Sequence, residues 1–134
     1  MRRSVVLLSF LTLFATAVAW GDLDLEDFDD DLMDNMDDAY KDLEIVIPAH
    51  NAASAKIDAG TLRDGLAKTE QYFAKKNVAD AIGWARDAQA STQKILDALE
   101  RGDFDSALTA THDTKKSCRA CHDAYKKKDK DKGP

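Results

Sequence analysis

Apolar side chains recur at steps of three and four along most of this chain beyond its first twenty residues, and that spacing leaves little choice of fold. Side chains so spaced share one face of a 3.6-residue helix. Four segments carry such a stripe. The first holds Phe28, Leu32, Met36, Ala39, Leu43 and Val46 and ends before Pro48. The second falls within 51–75, with Leu62, Leu66, Thr69 and Phe73 in line and with Gly60 and Gly65 weakening it. The third carries Val78, Ile82, Ala85, Thr92, Ile95 and Leu99. Asn77 with Asp80 reads as its N-terminal cap, and Gly102 as its C′ stop. The fourth opens near Asp103 or Asp105 and carries Phe104, Leu108, Thr111, Cys118, His122 and Tyr125. No period-two alternation or internal repeat competes. The connections are short, so consecutive helices are expected to pack antiparallel. The fold predicted is all-α, an up-down-up-down four-helix bundle.

The first nineteen residues read differently. Arg2 and Arg3 precede an apolar run at 5–14, and Ala17-Val18-Ala19 forms an A-x-A cleavage signal. Residues 1–19 are therefore expected to be a signal peptide, with 20–134 a single domain starting at Trp20. The apolar stretch is too short to span a bilayer, so no membrane association is expected after cleavage. In a bacterium the destination is the periplasm. The leader carries two arginines and no acid, so the net charge of −6 becomes −8 on its removal. Such a charge argues against nucleic acid and anionic lipid surfaces as partners. The lysine-rich tail after about residue 126 is expected to fray into solvent.

Both cysteines of the chain fall in Cys118-Arg119-Ala120-Cys121-His122, the C-x-x-C-H pattern that attaches a c-type haem. Each thiol adds across one porphyrin vinyl group, and the following histidine brings an imidazole to the iron. One helical turn separates the cysteines, about the spacing the vinyls require. A redox C-x-x-C pair would normally accompany a βαβ pattern, and none is present. A zinc site would need further ligands at suitable spacing, which His50 and His112 do not supply. A disulfide would leave the adjacent histidine without a role. The cofactor expected is one covalently attached haem c per chain, held by Cys118 and Cys121 with His122 as proximal iron ligand.

Bundle geometry narrows the sixth iron position. His122 falls about 27 Å along the fourth helix, at 1.5 Å per residue. The first helix runs antiparallel to it, so its N-terminal half lies at the haem end. His50 belongs to the opposite end, and His112 lies about 15 Å before His122 on the same helix. Met33 and Met36 remain, or no sixth ligand at all. Helix phase favours Met36, in line with Phe28, Leu32, Leu43 and Val46. Phase alone leaves it either a ligand or a flexible core filler.

These residues resemble the four-helix cytochromes, cytochrome c′ and its haem-b relative cytochrome b562, over the whole mature chain. Ser-Cys-Arg-Ala-Cys-His-Asp-Ala-Tyr-Lys (117–126) is similar to the cytochrome c′ ending, where a basic residue follows the tyrosine. Asp-Asn-Met (34–36) and Asn-Ala-Ala (51–53) are closer to cytochrome b562, whose corresponding methionine is an axial ligand. The resemblance implies a haem near one end of the bundle, His122 as proximal ligand, and a sixth position either open or held by methionine, with the Asp-Asn-Met likeness favouring Met36. The function expected is electron transport rather than catalysis. The alternative is a five-coordinate, cytochrome c′-like protein that binds nitric oxide or carbon monoxide. Two-fold homodimers are common in the cytochrome c′ group.

Residues 22–38 hold ten carboxylates and no base. Carboxylates at a helix start suit the macrodipole, and a solvated face is the plain reading. The segment also lies at the expected haem end, where it would form an acidic rim for a basic redox partner protein. No carboxylate pair, nucleophile–base pair or phosphate-binding glycine loop stands out to support hydrolytic or transfer chemistry.

Overall fold

Asp29 opens the first helix by accepting a hydrogen bond from the Leu32 N–H (3.2 Å), and α1 then runs Asp30–Val46. Asp30 and Asp31 occupy its first turn, where the exposed amides favour negative charge. Asn51 caps α2 (Ala52–Lys75) by accepting from the Ser54 N–H at 3.1 Å. Asp103 caps α4 (Phe104–Tyr125) by accepting from the Ser106 N–H at 3.0 Å. The computed structural model describes residues 23–125. The expected signal peptide, Trp20 and the lysine-rich tail lie outside the described residues.

Helix α3 (Ala79–Glu100) starts without a side-chain cap, and Asn77 does not have the role expected of it. It ends α2 instead, in the left-handed conformation (φ 57°), while the Val78 N–H reaches back to the Phe73 carbonyl at 3.1 Å. Asparagine tolerates that conformation better than most residues, which is why one side chain suits either end of a helix. Gly102 (φ 67°) closes α3 in the same way, as its position implied, with Asp103 N–H donating to Ala98 O at 2.9 Å. His50 (φ 57°) repeats the device after α1, and its ring stacks on Phe104 at 4.4 Å. Each chain reversal is thus held by backbone hydrogen bonds to the helix it leaves.

The four helices form the expected all-α bundle, with α1 on α2, α2 on α3 and α3 on α4; α1 and α4 meet over the shortest stretch. Leu43, Ile47, Leu62 and Ile95 are almost fully enclosed. Thr69, Thr92, Thr111 and Thr114 are also buried, and each hydroxyl donates to the carbonyl four residues earlier. Among the described residues no buried hydroxyl is therefore left unpaired. The buried face of α4 consists of Ala107, Ala110, Thr111 and Thr114, turned slightly from the expected stripe, and Leu108 is only partly covered. Among the described residues no helix is long and apolar enough to cross a membrane.

Candidate functional site

At the end of the bundle that holds the α1 N-terminus and the α4 C-terminus, large side chains give way to a cavity of about 440 Å³. That volume lies in the range of small-molecule and cofactor pockets, roughly 300–1,000 Å³. All four helices line it. From α4 come Cys118, Cys121, His122 and Tyr125, and from α1 come Asp30, Met33 and Met36. Helix α2 adds Leu66, Thr69 and Phe73, while Ala85 and Ala88 of α3 are short enough to leave space beside Trp84. The lining is largely apolar, and the Thr69 hydroxyl is already bonded to the Gly65 carbonyl at 3.0 Å.

Cys118, Cys121 and His122 face the cavity together because positions i, i+3 and i+4 share a helix face. Cys118 packs on the core, while His122 is exposed and so sits at the rim. Burial pushes both thiols above their ordinary range. Cys121 is raised to about 11, with the neighbouring Cys118 and the Asp80 carboxylate adding to the effect of burial. Both are therefore protonated thiols at neutral pH. A redox-active C-x-x-C pair needs the opposite shift. Among the described residues no group of three or more His, Cys, Asp or Glu is placed to hold a metal ion with protein ligands alone. A porphyrin brings four nitrogens of its own, so one imidazole and two thiols suffice to hold it.

Met33 and Met36 both border the cavity, so axial register does not separate them. Burial does. Met36 is 5 % exposed and belongs to the core, whereas Met33 is only partly covered. His50 lies at the far end on Phe104, and His112 is exposed on α4 outside the cavity lining.

Two parts of the site were not anticipated from the sequence. The first is an aromatic wall. Phe73 lies 5.8 Å from Tyr125 and 5.2 Å from Tyr72, and Tyr125 lies 6.2 Å from Trp84. The Tyr125 hydroxyl donates to Asp80 Oδ1 at 2.6 Å, tying the end of α4 to the start of α3. Burial and that carboxylate push the phenol up to about 12. The second is a strap. The segment before α1 brings Leu25 and Phe28 to the cavity lining, and the Phe28 ring meets Tyr72 edge-on at 4.7 Å. Asp27 latches the strap by accepting from Tyr72 OH (2.7 Å) and pairing with Lys76 Nζ (3.0 Å). These two partners hold its carboxyl below the ordinary range. Phe28 and Phe73 were both expected as stripe residues, but Phe28 lies before α1, in a turn where its N–H donates to the Leu25 carbonyl at 3.0 Å, and nothing local marked that turn as a cover.

No protein-family model, curated protein or solved structure matches the chain. The functional reading therefore rests on the chemistry of this cavity.

Proposed function

We propose that the protein is a c-type cytochrome that carries electrons through one haem seated in the cavity between the four helices. The observation that carries the reading is the meeting of a C-x-x-C-H face, a buried methionine and an apolar cavity at one end of the bundle. When bound, the haem supplies a one-electron couple. Cys118 and Cys121, which both line the cavity, would hold it through thioether bonds. His122 would provide the proximal imidazole from the rim, and Met36 the distal thioether from α1. A His/Met pair raises the potential relative to other axial sets. The side chains of Leu66, Phe73, Ala85 and Ala88 would exclude water, and Phe28 on its strap would cover the cavity from the α1 side. An exported chain matching the resemblance to four-helix cytochromes would meet its redox partner in the periplasm.

A second reading has one observation in its favour. Met36 is already well packed against α2, as a core residue would be, and a purely structural Met36 would leave the iron five-coordinate and open to nitric oxide or carbon monoxide. Ferric absorption and magnetic resonance spectra separate the two. Electron transfer with His/Met ligation requires a low-spin, six-coordinate iron that Met33→Ala leaves unchanged. A high-spin wild type would establish the gas-binding reading instead.

A further inference from the structure

We propose that Gly65 of α2 is the positioning residue for Met36, a notch that lets the thioether lie where the distal ligand is needed. The inference rests on the reading of Met36 as iron ligand. Gly65 lies in the interior of α2 and is buried, a place where glycine is destabilising relative to alanine. Backbone conformation does not demand it, because Gly65 is not among the residues of positive φ. Space does. A Cβ built at Gly65 would fall 2.5 Å from Sδ of Met36 and closer still to its Cγ, with Cδ1 of Leu32 at 3.6 Å. The same test at Gly60, five residues earlier on α2, finds nothing within 4 Å. Of the two glycines that weaken this helix, only Gly65 makes room for a neighbour, and that neighbour is the methionine at the cavity wall. The Gly65 carbonyl is fixed by the Thr69 hydroxyl, so the notch has a firm floor.

Any side chain at 65 must therefore push the Met36 thioether along the cavity wall. The experiment compares Gly65→Ala with Gly60→Ala, each alone and with Met36→Ala. With haem bound, Gly65→Ala should convert part of the low-spin ferric signal to high spin. It should also tighten carbon monoxide binding by about tenfold or more, since apparent affinity scales with the fraction of protein whose sixth position is free. Gly60→Ala should leave both unchanged. Without haem, Gly65→Ala should melt below the wild type and Gly60→Ala above it, and replacing Met36 by Ala should remove the penalty of Gly65→Ala. A Gly65→Ala spectrum that stays fully low-spin, or an apo protein it stabilises as Gly60→Ala does, overturns the proposal. If instead Met36→Ala alone leaves the wild-type spectrum intact, the ligand assignment itself falls. The apo measurement then still reports whether Gly65 positions that side chain.

Discussion

Met36→Leu separates the two roles open to that residue. Leucine nearly matches methionine in volume, and such exchanges in a core usually cost less than about 1.5 kcal/mol. Met36 is 5 % exposed, so truncation to alanine falls under the general cost of about 2–5 kcal/mol for large-to-small core changes. The side chain also borders a cavity of about 440 Å³, where it has no partner atoms to lose, so the loss should sit at the low end, near 2 kcal/mol. In a domain of this size each kcal/mol moves Tm by roughly 4–8 °C. Thermal unfolding of the haem-free protein, followed by circular dichroism, should show Met36→Ala lowered by roughly 8–16 °C and Met36→Leu by less, under roughly 6–12 °C. The haem-loaded proteins should not follow that order. Leucine has no sulfur lone pair, so Met36→Leu and Met36→Ala should both give high-spin ferric spectra that respond to carbon monoxide. A Met36→Leu protein with the wild-type low-spin spectrum would show that the residue only fills space.

Three other outcomes follow from the strap, the acidic face and the tyrosine at the cavity rim. Asp27 is held below its ordinary pKa by Tyr72 and Lys76, so its latch contributes stability above the unfolded carboxylate value and loses it as pH falls through the folded one. The Tm gap between wild type and Asp27→Asn should be constant near neutrality and close below about pH 4; a gap that persists in acid would refute the latch. Replacing Asp29, Asp30 and Asp31 together by Asn should flatten the salt dependence of electron exchange with a basic partner. Asn can cap α1 as Asp29 does, so the bundle should stay folded, and an unchanged salt slope would remove the docking role. Tyr125→Phe deletes the bond to Asp80 while keeping the ring on Phe73, so the end of α4 should exchange amide hydrogens faster with little change in the ferric spectrum.

The parts legible in sequence were those fixed by local periodicity and chemistry. Helical phase gave four segments whose bounds agree closely with the helices, and the C-x-x-C-H face needed only the helix it stands on. Antiparallel connection then brought the α1 methionines to the same end as His122. What stayed hidden depends on which atoms meet across the bundle. Asn77 was read as a cap because the residue types that cap helix starts also tolerate the left-handed turn that ends them. Gly65 was read as a weak point in a helix, and only the Met36 side chain lying over it gives the glycine a purpose. Phe28, expected as the first residue of the α1 stripe, lies before the helix and reaches the cavity with Leu25 from a turn, held by Asp27 on a tyrosine of α2.

The central claim is covalent haem, and the most direct measurement is whether colour stays with the chain after denaturation. The protein should be expressed with its leader in a host that matures c-type cytochromes, unfolded, and extracted with acidified organic solvent. Wild type should keep its haem absorbance and gain the mass of one haem per chain, while Cys118→Ala and Cys121→Ala should each retain at most one thioether. Haem that extracts freely from the denatured wild type would contradict the account at its foundation.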